Sequence, residues 1–207
     1  MMDLFDDCAA EALPIVDAQI TLWRHVDIGD DRLILDRLIT ETPWREERVT
    51  VWGKSHFQPR LVAWYGDLGT PYSYSGSKLL AVPWSSLLME LKSKVESLTN
   101  HKFNSVLLNY YRDNRDSMGF HSDDEPELGD QPVIASLSLG EERRFVLKHK
   151  CLKDTDDVVL SLPSSSLLLM AGNTQNNWKH GIPKETRHCG PRINLTFRNI
   201  ATSEARD

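Results

Sequence analysis

The run GFHSDDE places His121 two residues before Asp123. Residues two apart on an extended strand project from one face, so this imidazole and carboxylate can hold one ion together while Ser122 points away. A third ligand must come from elsewhere in the chain. Two histidines and a carboxylate on one side of a metal leave the opposite positions open, which suits non-haem Fe(II) activating dioxygen beside a chelating co-substrate. HxD alone does not decide the matter, because a histidine beside acids is commonly a surface pair.

The second feature is the run PRINLTFRNI, where Arg192, Asn194, Thr196 and Arg198 alternate with Ile193, Leu195 and Phe197. On a strand the apolar set takes one face and belongs to the core, while the polar set takes the other. Two guanidinium groups in a strand that otherwise reads as buried are costly unless something anionic meets them. Arginine binds carboxylates with a planar fork, so a dicarboxylate held between the metal and the arginines is the economical reading. Pairing with protein acids such as Asp113 or Asp116 is the alternative. The same alternation in LLNYYRD sends Asn109 and Tyr111 to one face, with Leu108 and Tyr110 on the other. Their polar tips either bond the same diacid or are core groups with partners of their own.

These residues need a scaffold, and the pattern of apolar residues predicts one. Leu33, Ile34, Leu38 and Ile39 follow helical spacing behind Asp30, and Pro43 lies beyond the end. Trp84, Leu87, Leu88, Leu91, Val95 and Leu98 make a second helical stripe. Both stripes read as core faces. The stretch between them, VWGKSHFQPRLVAWYGDLGTPYSYSG, is rich in aromatics and turn residues and suits short strands and long loops. After Phe103 come the strand candidates SVLLNYY, GFHSD, PVIASLSLG, RRFVLKHK, VVLSL, SSLLLMAG, WKHGI and RINLTFR. That rhythm predicts an antiparallel jelly roll with two helices buttressing one face, mostly β with flanking helices in an α+β arrangement. The first twenty or so residues show no clear period and read as a mobile extension or a strand that docks late, so a 1–20 extension, one domain over 21–203 and a 204–207 tail are expected.

Bulk properties narrow the class. With 207 residues and 40% hydrophobic content the chain can bury one sizeable core. No apolar run is long enough to span a bilayer, and the N-terminus MMDLFDDCAAEALP is acidic where a signal or transit peptide is basic. A soluble monomer without membrane contact is expected, in the cytoplasm, or in the nucleus of a eukaryote. Cys8, Cys151 and Cys189 share no CxxC spacing, which argues against a disulfide framework and a thiolate zinc site. A net charge of −6 is unlike a protein that coats nucleic acid through a wide basic surface. Local footprints remain in Arg143, Arg144, Lys148 and Lys150, and in Lys179, Lys184 and Arg187, unless these are merely solvated edges.

Taken together, NYY, GFHSDDE, WKHGIP and PRINLTFR resemble the AlkB family of nucleic-acid oxidative demethylases, from about Val51 to Ile200. The VWGKSH-like and YSYSG-like segments look most like the animal DNA-repair members. The resemblance implies a double-stranded β-helix (jelly-roll) dioxygenase with N-terminal helices, a nucleotide-recognition lid over about 48–80, and a need for Fe(II), 2-oxoglutarate and molecular oxygen. Carried over residue by residue, it makes His121, Asp123 and His180 the iron ligands. Asn109, Tyr111, Arg192, Thr196 and Arg198 would hold 2-oxoglutarate, one arginine on its distal carboxylate. Asp124 and Glu125 would lie beside the damaged base, with Trp52, Tyr72 and Tyr74 in the lid.

The activity implied is removal of the methyl from bases such as 1-methyladenine and 3-methylcytosine in DNA, or RNA, giving formaldehyde, succinate and carbon dioxide. A base undergoing chemistry must leave the stack, and aromatic rings suit it once flipped. An N-methylated base is cationic, so neighbouring carboxylates favour it. The alternatives are the same chemistry on RNA or protein, a catalytically silent jelly-roll binding module, and a zinc hydrolase, which would give the paired arginines no obvious partner.

Overall fold

In the computed structural model, residues 9–51, 53–67, 71–74 and 77–201 are described, with 50–51, 54, 71–74 and 77–80 described through their backbone alone. Each long helix starts where a side chain satisfies one of its free backbone N–H groups. Asp30 accepts from Leu33 N at 2.9 Å to open α1 (Asp31–Glu41), and Ser85 accepts from Leu88 N at 3.2 Å to open α2 (Ser86–Thr99). Left-handed Asn100 (φ 56°) ends α2. The single-turn α3 covers Thr174–Asn177.

The strands preceding α2 are β1 (Ala10–Leu13), β2 (Gln19–Trp23), β3 (Arg48–Val51), β4 (Lys54–Phe57), β5 (Leu61–Gly66), β6 (Pro71–Tyr74) and β7 (Ser77–Leu80). After it come β8 (Ser105–Tyr111), β9 (Met118–His121), β10 (Ile134–Gly140), β11 (Arg143–His149), β12 (Val158–Leu162), β13 (Leu167–Ala171), β14 (Trp178–Ile182) and β15 (Arg192–Arg198). A seven-stranded sheet runs β1-β2-β13-β10-β15-β8-β5, and a four-stranded sheet runs β12-β11-β14-β9. Every pairing within these sheets is antiparallel. Two separate hairpins, β3-β4 and β6-β7, fall in the span read as a lid.

Two apolar layers hold the sheets. On one, Ile34, Leu35 and Leu38 of α1 and Leu87, Leu88, Leu91 and Val95 of α2 pack with the outward residues of the large sheet, among them Val106, Leu108, Leu137, Ile193, Leu195 and Phe197. On the other, Ile20, Leu22, Val62, Trp64, Leu107, Ile134 and Leu168 meet Phe145, Leu147, Leu162, Trp178 and Ile182 of the small sheet. β15 therefore has no wet face: its apolar residues serve the helix layer, and Arg192, Asn194, Thr196 and Arg198 are all buried between the sheets. That buried polar row is where the fold places chemistry.

One expectation is narrowed here and one changes. The stretch to residue 20, read as an extension or a late-docking strand, supplies strand: β1 and the first two residues of β2, and β2 pairs with β13 over Gln19–Trp23. The turn between β1 and β2 also grips the small sheet, since Trp178 Nε1 donates to Val16 O at 2.9 Å and Asn177 Nδ2 to Asp17 O at 3.0 Å. The signal was weak because β1 is a short, mostly exposed edge strand that has no buried face to imprint an alternation. The GFHSD strand also stops early: β9 ends at His121, and Asp123 sits in the following loop.

β9 meets β14 through His180↔His121 and Ile182↔Met118, with a register irregularity between them at Gly181. A Cβ on Gly181 would stand 2.9 Å from the Met118 carbonyl oxygen and 3.3 Å from the Gly119 carbonyl carbon, both backbone atoms that cannot swing aside. The close approach that sets His180 beside His121 thus requires glycine. Gly181→Ala is expected to cost about 1–3 kcal/mol, the range for overpacking, and to weaken binding of a divalent ion; an unchanged thermal midpoint and metal titration would contradict this account.

Candidate active site

His121, Asp123 and His180 offer ligand atoms that all lie within 4.8 Å of one another. The Asp123 carboxylate is the hub: Oδ1 is 3.9 Å from His121 Nε2, and Oδ2 is 3.8 Å from His180 Nε2. His121 Nδ1 lies 3.0 Å from Gly119 O. A carbonyl only accepts, so that nitrogen carries the proton and Nε2 keeps its lone pair toward Asp123. The His180 ring stacks on Phe145 at 5.2 Å between centroids and 19° between planes, which fixes its plane. Asp123 is held by its backbone N–H donating to Gln175 Oε1 at 2.9 Å. Ser122 turns away and donates to Trp178 O at 2.9 Å.

The electrostatics favour a metal over protons. Burial, then the neighbouring His121, hold the His180 imidazole down at about 3, so it is neutral at ordinary pH. Burial raises the Asp123 carboxyl, but Arg198, with His180 and His121, more than offsets this and leaves it lowered and ionised. Arg198 Nη2 donates to Asp123 Oδ1 at 2.6 Å, with both side chains 2% exposed. Two neutral-capable imidazoles and one carboxylate, turned toward a common point, form a donor set that suits Fe(II).

The three sit at one end of a cavity of about 420 Å³, counting its open mouth. Asn109, Tyr111, Arg192, Asn194, Thr196 and Arg198 share its walls, so the structure brings these six together with the candidate ligands. Arg192 is 1% exposed; its Nη2 donates to Ser138 Oγ at 3.0 Å and its guanidinium lies 5.3 Å from the Tyr111 ring centroid. Its Nε and Nη1 are buried with no hydrogen-bond partner among the described residues. Burial pushes its pKa down to about 10, which still leaves it charged at neutral pH. A buried cation in the wall of a cavity, with donors not taken up by the described residues, suits an anion.

Other expected residues sit differently. Arg198 does pair with a protein acid, but with Asp123, and Arg192 pairs with neither Asp113 nor Asp116: Asp116 binds Arg112 through 2.8 and 3.0 Å contacts, and Asp113 binds Arg115. Asn194 spends its amide donors on Ser136 Oγ and Leu137 O and accepts from Thr196 Oγ1 at 2.9 Å, so both shape the wall. Asp124 is exposed, 3.3 Å from Lys150, and lines a separate surface cleft. Glu125 is half-buried at the start of a short 3-10 turn. Trp52 lies outside the described residues, and Tyr72 and Tyr74 are placed on β6 by backbone alone.

Arg143, grouped by sequence with a surface patch, is 1% exposed and donates to the carbonyls of Asp116 and Pro183 at 2.9 and 2.8 Å. Of its group, Arg144, Lys148 and Lys150 pair with Glu185, Asp157 and Asp124. Sequence reasoning passed over Arg60, Ser138, Phe145 and Gln175. Only RRFVLKHK carried a hint, since alternation there puts Phe145 on the same face as Arg143 and Leu147.

A model of the 2OG-Fe(II) oxygenase superfamily matches residues 29–198. The mouse alpha-ketoglutarate-dependent dioxygenase alkB homolog 3 is 43% identical over 183 residues, which is 84% of this chain and 63% of that protein. The human DNA oxidative demethylase ALKBH2 is 42% identical over 159 residues, 74% of this chain and 61% of that protein. The chain thus spans about three-fifths of the length of these curated relatives. The solved structure of OsALKBH1 superposes with a TM-score of 0.59 at 15% identity, covering 92% of this chain and 100% of that one, which speaks for the fold.

The depressed His180 pKa has a consequence for the metal-free protein. An unfolded chain takes up a proton at this histidine near 6.5, while the folded chain resists until about 3. Its contribution is therefore fully present above 6.5 and is lost as pH falls toward 3. The thermal midpoint of metal-free protein should fall between pH 7 and pH 4, and His180→Phe, which keeps a ring against Phe145, should flatten that slope. Equal slopes in the two proteins would refute the assignment.

Proposed function

The chain belongs to the 2OG-Fe(II) oxygenase superfamily, and from that membership we propose that it is an oxidative demethylase of N-alkylated nucleobases in DNA, such as 1-methyladenine and 3-methylcytosine. The observation that carries the reading is the cavity where the His121, Asp123 and His180 donor set faces a buried Arg192 whose Nε and Nη1 have no partner among the described residues. The first suits a divalent metal and the second a carboxylate, so a metal-chelating diacid fits between them. The names of the mouse and human relatives support the same chemistry.

His121, Asp123 and His180 would hold Fe(II), and Arg192, braced by Tyr111 and Ser138, would hold the distal carboxylate of 2-oxoglutarate. Iron held there would supply the oxidising chemistry by which one atom of molecular oxygen goes into succinate, as 2-oxoglutarate loses carbon dioxide, and the other hydroxylates an N-methyl group that then leaves as formaldehyde. The side chains bind and orient. His180 stays neutral without having to lose a proton to the metal. Arg198 keeps Asp123 ionised and turned toward the histidines. The apolar packing of Phe145, Met170 and Ile182 at the cavity wall keeps bulk water from the reacting groups.

A cationic N-methylated base is favoured by carboxylates, and Asp124 and Glu125, which directly follow Asp123 in the chain, are proposed to supply them even though the chain carries a net charge of −6. Trp52, Tyr72 and Tyr74, in the segment between the helices, are proposed to sandwich the flipped base. The cytoplasm or nucleus is the proposed setting, with a monomer as the working unit.

The decisive experiment incubates protein purified under argon with Fe(II), 2-oxoglutarate, air and oligonucleotides carrying 1-methyladenine or 3-methylcytosine, in DNA and RNA versions. Loss of one methyl mass from the DNA, with stoichiometric succinate, is the expected result. Succinate without demethylation, or demethylation of RNA alone, would overturn the substrate. Asp123→Ala should abolish turnover, and Arg192→Met should raise the KM for 2-oxoglutarate at least about tenfold, the scale of one charge-assisted contact; an unchanged KM would remove Arg192 from the diacid seat.

A further inference from the structure

We propose that Arg60 is a positioning residue: it locks the side-chain amide of Asn109 so that the NH2 group, and not the carbonyl, is presented to 2-oxoglutarate in the cavity. The inference deepens the functional reading above and rests on it. Arg60 immediately precedes β5 and shares its inward side with Val62, the residue that pairs with Asn109 of β8 across the sheet. Both residues are buried, Arg60 at 5% and Asn109 at 2% exposure, and Arg60 Nε donates to Asn109 Oδ1 at 2.8 Å.

The chemistry of that contact fixes the amide. A guanidinium has donors only, so the atom it meets must be the carbonyl oxygen, and a flipped amide would set NH2 against N–H. Nδ2 is left to point elsewhere. Asn109 lines the cavity, and none of the described residues accepts a hydrogen bond from its Nδ2. An amide donor left over in the cavity wall is available to an anionic oxygen in the cavity. A second Arg60 contact, Nη1 to Ser117 O at 3.5 Å, ties the lock to the chain entering β9, and Ser117 N donates to Pro59 O at 2.9 Å. One arginine thus joins the strand of a diacid-facing amide to the strand that carries His121.

The test measures binding, with Mn(II) in place of Fe(II) so that no turnover occurs. Calorimetric titration of the Mn(II)-loaded protein with 2-oxoglutarate should show Arg60→Met weakening the diacid roughly tenfold, the lower end for groups that orient ligands. Mn(II) affinity should stay close to native, because the metal donors are untouched. In an Asn109→Ala background the same substitution should change binding by less than about twofold, since the pair acts as one unit. Asn109→Asp keeps an acceptor for Arg60 but removes the donor, so it should lose diacid affinity while folding normally, and it serves as the test if Arg60→Met does not fold.

Undiminished diacid binding by Arg60→Met, an additive loss in the Asn109→Ala background, or full affinity in Asn109→Asp would each overturn the proposal while leaving the functional reading intact. A native protein that binds Mn(II) but no 2-oxoglutarate would sink both.

Discussion

The site depends on one buried ion pair, Arg198 against Asp123 at 2.6 Å. A carboxylate that is 2% exposed would ordinarily take up a proton, since desolvation disfavours its charge. The guanidinium reverses this at a point where neutral His180 and the His121 Nε2 also converge. Removing either partner strands the other in a dry interior, which is the costly half of any buried pair. The anionic ligand atom is thus built in before any metal arrives, and the cation that stabilises it comes from a different sheet.

That division runs through the architecture. The small sheet carries His121 and His180 on adjacent strands, brought close by the absence of a side chain at Gly181. The large sheet contributes Asn109, Tyr111, Arg192 and Arg198 from the neighbours β8 and β15, in register Arg192↔Tyr111 and Asn194↔Asn109. Helices α1 and α2 cover the far side of the large sheet, so β15 can give all its outward residues to apolar packing and all its inward ones to polar work. A strand buried on both faces with strict polar alternation is affordable only where a ligand or a neighbour answers each charge.

This explains what could be read in advance. The helix stripes, the succession of strands and the alternation in RINLTFR are periodic signals that burial writes directly into sequence, and the structure reproduces their extents within a residue or two, although Leu33 and Leu98, read as core, are exposed. HxD was legible as chemistry but not as geometry, because Asp123 leaves the strand and owes its position to Gln175 and Arg198. Contacts of that kind join residues 52 and 75 positions apart and leave no local pattern. Arg60 in a loop and Arg143 among surface-like basic residues were invisible for the same reason: nothing nearby in sequence distinguishes a buried arginine from a solvated one. The exposed edge strand β1 failed from the opposite cause, having no hidden side to announce it.

Since the two metal-facing histidines and the diacid seat belong to separate sheets, the two halves of the cavity can diverge independently over evolution. Exchanges along β8 and β15 can retune which small acid is accepted, its length above all, while the histidines of β9 and β14 keep their spacing. Asp123 limits that freedom, because its counter-ion sits in the strand that would be varied, which makes Arg198 the one position of β15 where selectivity cannot drift without disturbing the metal centre.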